Sequence, residues 1–482
     1  MNLRQIVTSK ITLGLIVAVF IIKGILLSFL IPVFQNPDEQ IHYGTVQYWA
    51  EPTERNWVIQ NNGKRNTVSS DISTYGLSEE IIHAAQSTQF DEIKFEKQNI
   101  QNFSDTDSEK EILQNNRKHY VEVYPTNTSG TKSVYYLFAA WLERLFSDES
   151  IFTRIFVMRF LTVLFGLGVI ILAYVTAKKI GFSGNLSLLF TTLIAFQPML
   201  SITGAQVNID IALIFAFSLF FYAGVSLMKD LEWKYVLLII FSALMGLFSK
   251  GPGIVLVVLL YPLFTWFAYQ KLPLSKKRFA TFFIVTTLLL ATLLFLVVPK
   301  SYFVSITNFT AQSKFSSPLE STKKYLDQTL SLGEIRDTSL SYWGHFGWLD
   351  NAIPHWSLSI ITFITFFGFI GTIWYLFSQK QVPYLPEKKY LVLSLGMILA
   401  LQIAIRFYDW RVYDYTGEIL IGQPGRYFLP NIIAHLLIVI TGIGFFLRQK
   451  TRFIFVIKIL ALSMILLQLH AIVNVIIPRY YL

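Results

Sequence analysis

The sequence predicts an all-α polytopic membrane protein of about 11 transmembrane helices, with a large first extracytoplasmic loop that carries interfacial helices. Three observations predict it. Hydrophobic residues make up 53% of the chain and charged residues only 15%, far from the mix of a soluble domain. The apolar residues gather into runs near the roughly 20 residues that a bilayer requires. The short connections between runs hold the basic residues: Lys178-Lys179, Lys229 with Lys234, Lys276-Lys277-Arg278, Lys380 with Lys388-Lys389, and Arg448 to Arg452. Under the positive-inside rule these are cytoplasmic loops, so the net charge of +10 points to topology and not to nucleic acid. The chain has no cysteine, which excludes disulfides and thiolate zinc sites.

In chain order the expected spans are Ile11–Phe34, Ile155–Ala177, Leu186–Ile202, Ile209–Leu227, Tyr235–Phe248, Ile254–Tyr269, Phe279–Val298, Ser357–Phe377, Leu391–Ile405, Phe428–Leu447 and Phe453–Ile477. The first follows Arg4 and Lys10, contains Lys23, and reads as a retained signal anchor because no small-residue cleavage site follows it. With the amino terminus in the cytoplasm, every basic connection falls on the inner side and Arg479-Tyr480-Tyr481 ends outside. The whole chain, 1–482, then forms one membrane domain with three extracytoplasmic loops at 35–152, 299–356 and 407–427. Loops of this length in a compact protein are usually functional. Val134-Tyr135-Tyr136-Leu137-Phe138-Ala139-Ala140-Trp141-Leu142 is apolar but too short to span, and reads as a helix in the membrane interface.

The residues with chemistry cluster on the expected outer side. Asn36-Pro37-Asp38-Glu39-Gln40-Ile41-His42 puts two acids and a histidine at the mouth of the first span, where carboxylates are expensive to keep. An ordinary helix start, with Asn36 as cap and Glu39 closing a capping box, accounts for part of it. On such a helix Asp38 and His42 share a face. Asp38 and Glu39 are therefore catalytic candidates, and His42 a substrate-binding one. Should a divalent cation such as Mg or Mn take part, Asp38, Glu39 and His42 are its expected ligands. Asn208 and Asp210 open the fourth span, and Lys250 sits in Ser249-Lys250-Gly251-Pro252-Gly253. A structural reading makes Asp210 a buried interhelical link and Lys250 a snorkelling side chain. A lysine on the outer side nevertheless runs against the charge bias and favours an anionic ligand. Tyr342-Trp343-Gly344-His345-Phe346-Gly347-Trp348-Leu349-Asp350 and Gln423-Pro424-Gly425-Arg426-Tyr427 add Trp348, Asp350, Arg426 and Tyr427 as binding candidates. Arg426 suits a phosphate, which its guanidinium can grip bidentately.

The acidic pair in a long first loop, the many spans and the Tyr-Tyr helix before the second span resemble the GT-C class of integral-membrane glycosyltransferases. A bacterial family of GT-C-like membrane proteins, defined by sequence, resembles the chain more closely. Its blocks match Pro37-Asp38-Glu39…His42, Asn208…Asp210, Lys250, Phe346-Gly347-Trp348-Leu349-Asp350 and Gly425-Arg426-Tyr427-Phe428-Leu429-Pro430, in order across nearly the whole chain. Two departures stand out: Thr131-Lys132-Ser133 replace the His-Pro-Pro that many of the class carry before Tyr-Tyr, and Pro424 interrupts the Gln-Gly-Arg-Tyr block.

The resemblance implies a bacterial plasma-membrane enzyme with an extracytoplasmic site. It would move a sugar from a polyprenyl-phosphate donor to an envelope glycan or lipid-linked acceptor, inverting the anomeric centre. Asp38 would act as base, Arg426 and Lys250 would meet the lipid phosphate, and Trp343, Trp348 and Tyr427 would stack on sugars. The rival readings are a lipid-linked oligosaccharide flippase or other transporter, and a polysaccharide polymerase. A carrier needs polar groups lining a path through the bilayer, whereas here they gather on one side. Nothing resembles a P-loop, which argues against a nucleotide-fuelled pump.

Overall fold

The computed structural model describes residues 3–50, 79–100, 133–271, 313–419 and 424–482, with isolated positions between. The protein is an all-α polytopic membrane protein. Helix α1 (Leu3–Leu30) is followed by α2 (Glu39–Ala50), α3 (Glu79–Ser87), α4 (Val134–Leu145) and the long α5 (Ile151–Ile180). Next come α6 (Gly184–Ala195), the single-turn α7 (Pro198–Thr203), α8 (Asp210–Asp230), α9 (Trp233–Leu247) and α10 (Ile254–Lys271). A helical pair, α11 (Pro318–Thr329) and α12 (Leu332–Trp343), precedes a two-stranded ribbon of β1 (His345–Phe346) and β2 (Asn351–Ala352). The chain closes with α13 (His355–Phe377), α14 (Lys388–Thr416), α15 (Ile432–Leu447), α16 (Lys450–His470) and α17 (Ile477–Tyr481), the last two joined by a π-helical turn.

Among the described residues, eight helices are long and apolar enough to cross a membrane. Three of the eleven expected spans are not among these eight, two of them for local reasons. The stretch Leu186–Ile202 is broken into α6 and α7 at Phe196-Gln197, because Pro198 cannot donate to a continuing ladder. Tyr235–Phe248 forms α9, whose 15 residues fall short of a bilayer. The expected span Phe279–Val298 lies outside the described residues, apart from isolated helical positions. The loop expected from Phe407 also begins later, since α14 continues to Thr416.

The broken span is repaired from α1. Lys23, in the middle of the first span, donates from Nζ to Ala195 O at the end of α6 and to Ser201 Oγ at 2.7 Å. Gln197 caps the other side, its Oε1 accepting from Leu200 N. A cation at a helix C-terminus also meets the negative end of the helix dipole. In lipid an unsatisfied carbonyl has no water to turn to. Lys23→Met is therefore expected to lower stability by about 1–3 kcal/mol, the cost of a buried unpaired polar group, read as a lowered thermal midpoint in detergent. An unchanged midpoint would mean the break closes without the lysine.

Two spans form the centre. Of their apolar windows, 83% is buried for Asp210–Asp230 and 89% for Gly425–Leu447, against 22% for His355–Phe377 at the rim. Gly368 and Gly371 of α13 let it lie directly on the α15 backbone near Val439 and Gly442, where any Cβ would collide. Both central spans present their N-terminal ends to the same membrane face as α2. Helix α4 lies at that face too, with Tyr135, Tyr136 and Ala139 buried and Leu137, Phe138 and Trp141 turned outward, as an interfacial helix requires.

Candidate functional site

Between α1 and α2 the chain makes two left-handed residues, Phe34 and Asp38, both at φ 65°. For L-residues this conformation costs about 1–2 kcal/mol each, so both must be held from outside. What holds them is Glu39. Its Oε2 accepts from Phe34 N at 3.1 Å, and its Oε1 from Val207 N at 2.9 Å. Arg159 of α5 donates to Oε1 from Nε at 2.8 Å and to Oε2 from Nη2 at 2.6 Å. The same guanidinium reaches Ser28 O, Ile31 O and Pro32 O, closing the end of α1. Both side chains are fully buried.

Both carboxylate oxygens of Glu39, expected beside Asp38 in catalysis, are thus committed to holding this turn. The expected capping box is absent: α2 starts at Glu39, and the Asn36 amide is buried without a protein hydrogen-bond partner. Arg159 was hidden in a stretch read only as a span. Its signal was available, because an arginine inside an apolar run is itself costly.

Asp38 turns the other way. Its carbonyl accepts from Ile41 N and His42 N, so its carboxylate, 47% exposed, stands at the N-terminal end of α2. Arg426 Nη2 lies 3.6 Å from Asp38 Oδ2. Lys250 Nζ donates to Asp210 Oδ1 at 2.5 Å and sits 4.5 Å from the centroid of the Tyr427 ring. His42 Nδ1 and Tyr136 Oη are 2.6 Å apart. The expected residues Asp38, His42, Asp210, Lys250, Arg426 and Tyr427 are therefore brought together, with Tyr136 as an unforeseen member. Gly425 makes the approach possible. It packs on the α12 backbone at Thr338 and Tyr342, where a Cβ would strike main chain, and its N–H donates to Ser341 Oγ at 2.5 Å.

Arg426 is only 11% exposed, and its Nε has no hydrogen-bond partner. A buried guanidinium with spare donors is a receptor for an anion. The N-termini of α2, α8 and the Gly425–Leu447 span add positive dipole ends. The two acids and two cations balance, so an incoming anion competes with Asp38 for Arg426. Burial, aided by Lys250 and Arg426, pushes His42 down to about 4 against the opposing pull of Asp38 and Asp210. Tyr136 is raised, chiefly by burial, so its hydroxyl stays protonated beside His42.

Because the folded His42 titrates below its ordinary 6.5, the unfolded chain binds more protons between those two values. Stability accordingly falls as pH drops from about 6.5 toward 4. Thermal midpoints at pH 7 and pH 5 are expected to differ less in His42→Gln than in the wild type. Equal differences would mean His42 titrates normally.

Three expected residues do not join the cluster. Asn208 is buried, its Oδ1 accepting from Asp210 N at 2.6 Å, so it shapes the turn that presents Asp210. Trp348 lies under Lys94, whose Nζ is 3.6 Å from a ring centroid, and against the edge of Phe90. Asp350 accepts from Arg479 Nε at 2.6 Å, and Arg479 also reaches Ile93 O. These contacts bind the carboxyl-terminal end to both loop segments and place Trp348 and Asp350, expected at the site, beside Lys94 and Arg479. Trp343 is buried against His435, away from Asp38 and Arg426 in the contacts it makes.

For a divalent cation, the same geometry commits part of the expected ligand set. Glu39 has both oxygens committed, His42 Nδ1 is tied to Tyr136, and among the described residues no three His, Asp or Glu converge as a metal site.

The profile of the family described as "Predicted membrane protein (DUF2142)" matches residues 20–437. The chain belongs to the DUF2142 family. No curated protein matches it significantly. Every member of the cluster, from Asp38 to Tyr427, falls within the DUF2142 match, as does Arg159, whereas Arg479 lies beyond it.

Proposed function

We propose that this DUF2142 protein is a GT-C-like inverting glycosyltransferase of the bacterial plasma membrane. It transfers a sugar from a polyprenyl-phosphate donor to an envelope glycan or lipid-linked acceptor at the extracytoplasmic face, with the amino terminus in the cytoplasm. The observation that carries the reading is the half-exposed Asp38 carboxylate poised 3.6 Å from an under-bonded, buried Arg426. Arg426, with Lys250 beside it, binds the donor phosphate and stabilises the charge that grows on it as the sugar leaves. Asp38 is displaced from Arg426 by that phosphate and becomes free to accept the proton of the attacking hydroxyl. The bond from the hydroxyl oxygen to the anomeric carbon forms as the bond to phosphate breaks, and polyprenyl phosphate departs. Tyr427, whose ring borders Lys250, offers an aromatic surface to the sugar. The membrane supplies the donor laterally, so its tail stays in lipid throughout.

Purified protein in lipid, given a panel of polyprenyl-phosphate sugars and envelope-type acceptors, is expected to release polyprenyl phosphate with at least one donor. Absence of turnover across the panel, together with vectorial movement of a lipid-linked oligosaccharide across sealed vesicles, would favour the carrier reading. Among the described residues, the broken α6–α7 span is a feature that supports a carrier. Its freed groups, however, are taken by Lys23 and Gln197.

A further inference from the structure

Helices α11 and α12 pack on the spans through one side only. Ser321, Tyr325 and Thr329, at intervals of one turn, face α14, with Tyr325 Oη donating to Asp409 Oδ2 at 2.8 Å. A second stripe of α11, Leu319, Leu326 and Leu330, follows the same helical spacing but is exposed, Leu319 to 80%. Across the turn Leu332 is 87% exposed and Ile335 continues the apolar surface onto α12. For a segment assigned to an aqueous loop, such a surface asks for a cover.

Two contacts fix its depth. Arg406 Nη1 donates to Thr329 Oγ1 at 3.3 Å, and Ser339 Oγ lies 3.2 Å from Thr362 Oγ1. Thr362 stands about 22 Å along α13 from its Phe377 end, and Arg406 about 27 Å along α14 from Lys388, at 1.5 Å per residue. Both heights fall within a hydrocarbon core about 30 Å thick. Phe363, next to Thr362, is exposed on the outside of the bundle, as a lipid-facing residue is. With the Phe377 and Lys388 ends at the inner edge of the hydrocarbon, the leucine turn lies near its outer edge, within reach of the acyl chains.

We infer that the α11–α12 turn is a membrane-inserted anchor: Leu319, Leu326, Leu330, Leu332 and Ile335 are covered by acyl chains of the leaflet on the cluster side. The charged residues of the pair fit this placement. Lys323, between Leu319 and Leu326 on the apolar side, and Arg336, beside Leu332, have long stems that reach the headgroups. Glu320, Asp327, Glu334 and Asp337 lie off the stripe, and Gln328 lies on the opposite face of α11. Since α12 ends against Gly425, the anchor holds the backbone that carries Arg426 from the lipid side.

The natural absence of cysteine makes the test direct. Leu332→Cys, Leu330→Cys and Gln328→Cys are each spin-labelled in the full-length protein, purified into nanodiscs, and probed with oxygen and with a polar nickel chelate. The ratio of oxygen to nickel collision rates at positions 330 and 332 is expected to exceed that at 328 by about tenfold, because the polar complex is excluded from hydrocarbon. Nickel access at 332 equal to that at 328 would put the turn in water and overturn the inference. Protection of 332 from both reagents would mean that a second copy covers it, which equally overturns it.

Discussion

Asp38→Asn is expected to lower sugar transfer by about 10²–10⁴-fold, the contribution of a positioned general base, while the protein folds and inserts normally. The separation of the two effects rests on the backbone. Asp38 lies at φ 65°, and asparagine enters that left-handed region as readily as aspartate does. The amide also keeps the shape of the carboxylate beside Arg426 and loses only the basic oxygen. Two further substitutions distinguish chemistry from conformation. Glycine relieves the strain and alanine increases it, yet both remove the acid. If Asp38 is the base, all three variants fail alike, and initial rates with a saturating donor show the loss in kcat. Recovery of activity in Asp38→Gly would reduce Asp38 to a turn-former and remove it from the reaction.

The legible part of the molecule was whatever depends on local composition. Long apolar runs specify spans because a bilayer rewards the same property at every position of a run. The blocks around Asp38, Asp210, Lys250 and Arg426 were readable as polar exceptions at run ends, and they do converge. What stayed illegible depends on contacts far apart in sequence, or on which way a side chain turns. Asp38 and Glu39 are neighbours of one type, yet Asp38 sits in a left-handed turn before α2 and Glu39 opens the helix, which rotates their side chains apart. That rotation sends one to solvent and Arg426, and the other into the core and Arg159. Trp348 and Asp350 looked like ligand-binding residues by composition, but Arg479, far along the chain, takes Asp350. The break at Gln197-Pro198 was signalled by the proline, and hydropathy averaged over a window concealed it. Lys23 was visible as an oddity in the first span without any hint that its partner lay in the third.

Arg159→Met is expected to be the most destabilising single change in the described protein, at about 3–5 kcal/mol, the cost of stranding one member of a buried ion pair. The loss exceeds that of an ordinary pair for a structural reason. The guanidinium serves Glu39 and three carbonyls at the end of α1 together, so its removal leaves four acceptors short in a region shielded from water. Glu39→Gln does not spare the site either. Four N–H groups converge on the two carboxylate oxygens, and a glutamine amide would turn its own NH₂ toward two of them. The double variant Arg159→Met, Glu39→Met removes donor and acceptor charge at once, so its loss of unfolding free energy should lie well below the sum of the single losses. Thermal or denaturant unfolding of the four proteins in detergent gives the coupling directly. Additive losses would show that the two groups act independently. The cycle also decides how Glu39 bears on activity. As an anchor for Phe34 and Val207 it sets where Asp38 and Asp210 stand, so partly folded Glu39 variants should lose activity in proportion to folded protein. A Glu39 variant that stays fully folded yet inactive would restore to Glu39 the catalytic part that its four hydrogen bonds argue against.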